Sequence, residues 1–423
     1  MVLPCALDVL LALGAVACGS SEAPSPTAPS ANPLPTPAPP PPTSPVPPPA
    51  PAPPPPPPPP VDARTPGLEA ADFAGPITKP FLRSTNAYLT DEAFEKKWQA
   101  SLASAVLFVR AYPGAYHADL AKVPEKRIPG TEGVCFGDAH PDNFGFLSIS
   151  GTTKYVYNDL DDSGYCSPAA DTARWLAVVR LSYPSQADAA LSQYVDASFD
   201  PSRAVPIAAS LVPDLVDVAD KALDKATSRG LLKLESDVVA PTAAERAELT
   251  RVVGAEARTS SFTVRDAAVR LCDEGGSGGL RRYWVLVDRP GTTRTILELK
   301  ESVTPGADLG RHTQTLTPSN RLAVLTQALW GSTPADDYFY VTAFGARFLV
   351  RDRLPRKSVD LAALSAAEQE GVLRAQASYM ASVHGASWRG SGRPRDEVRA
   401  WLDKSGAALA ARWQSAHTTL KGP

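Results

Sequence analysis

The chain has 423 residues, a formal net charge of −3 and 44 prolines, most of them near the amino end. That length allows two domains or one large two-lobed one, and the near-neutral charge argues against nucleic acid as a partner, because phosphate backbones are met by clustered Lys and Arg. Beyond the first residues no stretch reaches eighteen uninterrupted apolar residues, so the body of the chain is not expected to span a membrane.

The first segment, MVLPCALDVLLALGAVAC, is a short apolar run ending in small residues and a cysteine. It is too short for a comfortable transmembrane helix and reads as a signal-peptide core over residues 1–17. AVAC resembles the bacterial lipoprotein processing site, which makes Cys18 the lipidated residue and places the protein in the bacterial cell envelope. No Lys or Arg precedes the run and Asp8 lies near its start, so a mis-assigned start codon, with a cytoplasmic protein, is the alternative. Residues 18–66 are rich in Ser, Ala and Pro and include the unbroken run Pro53–Pro60. Such a segment cannot bury a core and favours polyproline II; at ~3.1 Å per residue it reaches on the order of 150 Å. It fits a spacer that holds a globular domain, residues 67–423, away from a membrane. The remaining cysteines, Cys135, Cys166 and Cys272, have no metal spacing. Cys135 and Cys166 are expected to stay as free buried thiols, with pairing in an exported chain as the alternative.

Apolar residues at three- and four-residue spacing predict helices over about 91–111, 168–182, 205–228, 242–257, 318–330, 362–385 and 394–417. Short β-branched and aromatic runs predict strands near 154–158, 281–287, 294–300 and 346–350. The pattern is α+β, with a small strand-rich portion around 264–352 and a helical remainder.

Chemistry concentrates first in CFGDAHPDNFGFL, residues 135–147. Asp138 is followed five positions later by Asn143, so one loop can offer a carboxylate to an attacking hydroxyl and an amide oxygen to a cation on phosphate. Behind a predicted strand, YNDLDDSG supplies Asp159 as a second cation ligand and Asp161 as a further one. These parts resemble the HGDxHxxN catalytic loop of aminoglycoside-phosphotransferase-like kinases, with Phe136 in place of the first His. Asp171, twelve positions after Asp159, matches the aspartate that organises the loop in those enzymes. His140 joins Asp138 as a candidate catalytic or bracing residue. More closely, GDAHPDNFG and NDLDD, together with GGSGGLRRYWVL and LELKES, are similar to the bacterial "domain of unknown function 2252" family, grouped with the protein-kinase-like fold. The resemblance runs over most of residues 85–390.

It implies that Gly275, Gly276, Ser277 and Gly278 form a phosphate-binding turn, since glycines let backbone N–H groups approach an anion. Lys300, about twenty residues on in TILELKES, then reaches the α/β-phosphates. ARFLVRDRLPRKS resembles the strand and hinge that receive adenine, and YMASVHGAS the helix that follows. Arg351 and His384 are family-like positions with ordinary structural roles. The glycine turn and lysine follow the catalytic loop here instead of preceding it, which implies a two-lobed kinase-like fold in circularly permuted order. No glutamate occurs between Val303 and Val350, where kinases place the helix partner of the lysine. Asn320 and Arg321 stand where the family tends to have Gln-Arg. The reading is an ATP- and Mg²⁺-dependent phosphotransferase with an unknown acceptor, monomeric and tethered to a membrane. A kinase-like nucleotide- or ligand-binding protein without turnover is the alternative. A dinuclear metallophosphatase needs more histidines than the five present.

Overall fold

Helix starts in this chain follow its short oxygen side chains. Thr78, Thr90 and Ser104 each accept a hydrogen bond from a backbone N–H of the turn they precede, as N-cap residues do. They open α1 (Lys79–Ser84), α2 (Asp91–Ser101) and α3 (Ala105–Ala111). The one helix expected over 91–111 is therefore two, because Ser104 takes an extended backbone and starts afresh. Pro113, at a first-turn position that needs no N–H, opens α4 (Pro113–Leu120). In this computed structural model the described residues are 67–256, 259, 261–272, 275–291, 294–334 and 338–422. The expected leader, Cys18 and the whole of the linker lie outside them.

Four short strands follow: β1 (Gly133–Cys135), β2 (Phe144–Ile149), β3 (Thr152–Tyr157) and β4 (Gly164–Cys166). β2 pairs antiparallel with β3, and β1 with β4. Segments 136–143 and 158–163 thus both cross between the same two ladders and emerge side by side. Helices α5 (Pro168–Ser182) and α6 (Ala187–Phe199) come next. α6 was not among the expected helices; it is buried over most of its surface, including Gln193 and Ser198, and its polar stripe is only the narrow one of Asp188, Ser192 and Asp196 at four-residue spacing. The helix expected from 205 begins only with α7 (Leu215–Ala226), where Pro213 interrupts and Asp214 caps.

After the hairpin of β5 (Thr227–Ser228) and β6 (Leu231–Leu232) come β7 (Val238–Val239), α8 (Ala243–Ala255), β8 (Thr263–Arg270), β9 (Arg282–Asp288) and β10 (Arg294–Glu301). Then follow α9 (Arg321–Trp330), β11 (Phe339–Ala343), β12 (Ala346–Asp352), β13 (Arg356–Ser358), α10 (Ala366–Gly390) and α11 (Arg395–Lys421). The strands expected near 281–287, 294–300 and 346–350 are β9, β10 and β12. They lie in one antiparallel sheet with the order β11-β12-β10-β9-β8-β7. The strand-rich portion reaches back to Val238, further than expected. β13 leaves that sheet to pair with β2. The architecture is α+β with antiparallel sheets.

Alternation along the strands sorts the side chains of this sheet. Val285, Val287, Leu297, Leu299, Phe348 and Val350 pack with Leu249, Val252 and Val253 of α8. On the other face Trp284, Leu286 and Ile296 are joined by Leu223 and Ala222 of α7. Arg282, Glu298, Lys300 and Arg351 share the parity of that second face. The helices build a separate, larger core around Trp175, Trp388, Trp413 and Phe108.

Candidate functional site

The backbone that leads from β1 into Asp138 is held at every polar atom. Asp171, buried in the first turn of α5, accepts from the Phe136 N–H at 2.6 Å and the Gly137 N–H at 3.1 Å. His384 of α10 places Nε2 3.2 Å from the same carboxylate. The Phe136 carbonyl accepts from Tyr157 Oη at 3.1 Å and Ser163 Oγ at 2.9 Å, and the Gly137 carbonyl from His117 Nε2 at 2.6 Å. Gly137 has φ +75°, and a Cβ there would lie 1.8 Å from the Asp162 carbonyl oxygen. Only glycine fits.

Asp138 itself is buried against Arg174, one turn beyond Asp171 on α5. Both Nε, at 3.2 Å, and Nη2 of Arg174 donate to Asp138 Oδ1, and Nη2 also reaches the Val109 carbonyl at 3.1 Å. Asp138 Oδ2 faces His140 Nε2 at 3.5 Å and Asn143 Nδ2 at 3.4 Å; Asn143 Nδ2 donates to the Asp138 carbonyl at 3.0 Å. Burial pushes the Asp138 carboxyl up, but the Arg174 guanidinium and His140 outweigh it and hold it well below the usual range. Burial and the nearby Arg110 push His140 down, which favours a neutral imidazole.

Across the sheet, Lys300 on β10 lies 3.2 Å and 3.3 Å from the two Asp159 oxygens and forms an ion pair with Asp161. The network continues without interruption. Arg351, opposite Glu298 in the β10–β12 register, binds Glu298 at 2.7 Å and approaches Asp159 Oδ1 at 3.4 Å. Arg282 reaches Glu298 at 3.5 Å, and Arg356 donates to the Asn158 carbonyl at 3.0 Å. Asp159 is pulled in two directions: burial raises it, while Lys300 and then Arg351 bring it down to about 2. Burial lowers Lys300, and the two aspartates more than reverse that. Asp162 joins the two groups. Its Oδ1 accepts from the Gly306 N–H at 2.7 Å, and burial with the charges of Asp138 and Asp161 raises it to about 7.

The glycine-rich turn lies over the Asp138 side. Gly275 and Gly279 have φ of +74° and +80°, and the Gly278 N–H donates to the Gly275 carbonyl at 3.1 Å. A Cβ on Gly276 would meet Asp138 Oδ2 at 3.3 Å and Pro113 at the same distance. Ser277 Oγ accepts from Arg282 at 2.9 Å. GGSGG at 275–279 also spells the G-x-S-x-G of a nucleophile elbow, but here it joins two strands, not a strand and a helix.

The structure therefore brings Asp138, His140, Asn143 and Gly276 into one group and Asp159, Asp161 and Lys300 into another, with Asp171 behind the loop. Asn143 sits close to both: the Asn158 N–H donates to its carbonyl at 2.9 Å. Cys135 and Cys166 are disulfide-bonded across β1 and β4, with Cα atoms 5.8 Å apart, which corrects the expectation of free buried thiols. Among the described residues, Cys135, Cys166 and Asp171 stand at metal-binding distance from one another, but the disulfide and the two loop amides already occupy them. The sequence reading missed Arg174, Asp162 and Glu298. Arg174 alone left a signal, one helical turn after Asp171.

Asp159 and Asp161 offer carboxylate oxygens and Asn143 an amide oxygen, a donor set that suits a hard divalent cation. At present the Lys300 ammonium supplies the positive charge between the two carboxylates. The pattern of a family described as an uncharacterized protein conserved in bacteria, DUF2252, matches residues 89–188 and 213–420, well over half of the chain. No curated protein and no solved structure matches it.

Proposed function

The chain belongs to the DUF2252 family of uncharacterized bacterial proteins, and from that premise we propose that it is a kinase-like phosphotransferase acting on a hydroxyl acceptor with ATP and Mg²⁺. The fold in this reading is protein-kinase-like and two-lobed, with the catalytic-loop segment ahead of the glycine turn and lysine in the chain. One observation carries it: Lys300, from the strand after the glycine-rich hairpin, meets Asp159 at 3.2 Å, and Asp159 follows the Asp138–Asn143 loop by one hairpin. Phosphoryl transfer needs these parts and little covalent chemistry besides.

Each residue then has a task set by its surroundings. Asp138 is ionised, with Oδ1 occupied by Arg174 and Oδ2 turned toward the glycine turn. It orients the acceptor hydroxyl through Oδ2 and receives the proton as the acceptor oxygen bonds to the γ-phosphorus, the bond from that phosphorus to the bridging oxygen breaks, and ADP leaves. Asn143, Asp159 and Asp161 would hold Mg²⁺, which neutralises phosphate charge when bound. Lys300, released from Asp161, reaches the phosphates. The test has two stages. Mg·ATP should raise the melting temperature of the full chain, and transfer or slow phosphate release should fall by roughly 10²–10⁴-fold in Asp138→Asn. Absence of any thermal shift sinks the reading.

A second reading, a nucleotide-binding protein without turnover, is favoured by the Lys300 partners. α9 carries no glutamate, and Lys300 is satisfied by Asp159 and Asp161 instead. Binding with no Asp138-dependent phosphate release would select it. The disulfide supports export, since such bonds persist in oxidising compartments. Tethering through Cys18 is tested by palmitate incorporation lost in Cys18→Ser. An envelope address leaves ATP scarce, so the donor as well as the acceptor is to be sought by a metabolite-pool screen.

A further inference from the structure

Lys97 of α2 takes no part in the ion pairs above, although it is only 1 % exposed. Its ammonium donates to two neutral oxygens, the Asn86 side-chain carbonyl at 3.0 Å and the Gly276 backbone carbonyl at 2.5 Å. Among the described residues no carboxylate pairs with it. The contrast with its neighbours is chemical: Lys300 is closed by two aspartates and Asp138 by Arg174. A cation kept from water with only neutral partners is expensive to hold, and an ammonium has three N–H donors.

Its setting is built. Asn86 is buried, accepts from Tyr88 Oη at 3.0 Å and donates to the Leu82 carbonyl at 2.9 Å, which fixes the amide oxygen that faces Lys97. Tyr112 stacks its ring 5.5 Å from the ammonium. The other contact, Gly276, belongs to the turn that rests on Asp138 Oδ2. Burial, the largest influence, pushes Lys97 down to about 8, against the charges of Asp162, Asp138 and Cys272, which favour the ammonium.

We propose that Lys97 is a phosphate-binding residue: its ammonium takes the terminal phosphate oxygens of a nucleoside triphosphate in exchange for the Gly276 carbonyl. The inference rests on the nucleotide reading above and adds a residue that no motif marks. The arriving anion gives the ammonium an ionic partner in place of a neutral carbonyl.

Binding of ATP, tripolyphosphate and adenosine to the full chain, with Mg²⁺ present, tests it by calorimetry. Lys97→Met should weaken ATP and tripolyphosphate by roughly tenfold or more, the worth of a charge-assisted contact, and leave adenosine unchanged. Wild-type affinity for ATP in a folded Lys97→Met overturns the assignment while the nucleotide reading stands. A wild-type protein that binds neither ATP nor tripolyphosphate overturns both. Binding of tripolyphosphate without ATP removes the nucleotide and leaves Lys97 to be judged on the polyphosphate alone. If Lys97→Met does not fold, the wild type answers by another route. An acyl phosphate of ATP transfers its acyl group to an amine near the phosphates: the N–C bond forms, the acyl–oxygen bond breaks, and ATP leaves. Mass spectrometry should find the amide on Lys97 and lose it in excess ATP. Acylation confined to Lys300 overturns the proposal.

Discussion

Asp138 and Lys300 are both buried ions, and the two are held in different ways. The frame around Asp138 is mostly backbone: Asp171, Tyr157, Ser163 and His117 fix the peptide units before it, and a single guanidinium neutralises the carboxylate. Around Lys300 the partners are side chains from a strand and a loop, linked ion to ion from Glu298 through Arg351 and Asp159 to Asp161. Backbone bonds define one geometry, whereas ion pairs can exchange partners without unfolding a strand. The first region suits a group that must stay where it is, and the second suits groups that change partner when an anion or a cation arrives.

That contrast can be broken or sharpened by experiment. Asp171→Ala leaves two buried amides without an acceptor and should destabilise the protein by about 3–5 kcal/mol in denaturant unfolding. A loss below about 1 kcal/mol would mean the loop is not framed from behind. Removing the disulfide with Cys135→Ser and Cys166→Ser opens a loop of 31 residues and should remove about 2–4 kcal/mol, read as a matching drop in melting temperature with reductant. Lys300→Met should cost less, about 1–2 kcal/mol, because Asp159 and Asp161 keep some access to water. The variant should also be stabilised by Mg²⁺ more than the wild type, since two carboxylates have lost their resident cation. An equal Mg²⁺ shift in both proteins would argue against exchangeable partners. The smallest signal lies in acid. Asp159 is held at about 2 in the folded protein, below its unfolded value near 3.9. Its contribution is therefore full above about pH 4 and fades as pH falls through 2, by about 1 kcal/mol after solvent screening. In Lys300→Met the fade should shrink, as seen in melting curves between pH 5 and 2.

Much of this was legible beforehand. The loop of Asp138, the strand before Asp159 and the strand of Lys300 have strong local patterns, and the spatial meeting of Lys300 with Asp159 follows from the family resemblance. Burial patterns hid other parts. The polar stripe of α6 is narrow, only Asp188, Ser192 and Asp196, and β8 carries Arg265 and Asp266 in mid-strand, where Asp266 is used by the Leu232 N–H and Arg246. Arg174 reads as one more charged residue of a helix until the fold buries it. Glu298 lies outside the stretch that lacks glutamate, and its partners come from β9 and β12, so no local spacing links them. Lys97 comes from a helix more than two hundred residues before Lys300. Pairings of that kind belong to tertiary structure and leave no periodic trace.

The disulfide has one more consequence, of a topological kind. Cys135 precedes the loop by one residue from Phe136, and Cys166 follows Asp159 and Asp161, so the bond closes a covalent ring that contains Asp138, His140, Asn143 and both aspartates. A single protease nick inside this ring cannot release a fragment. The cut chain should migrate as one band without reductant and as two with it, and in the oxidised form Asp138, Asp159 and Asp161 stay on one continuous molecule.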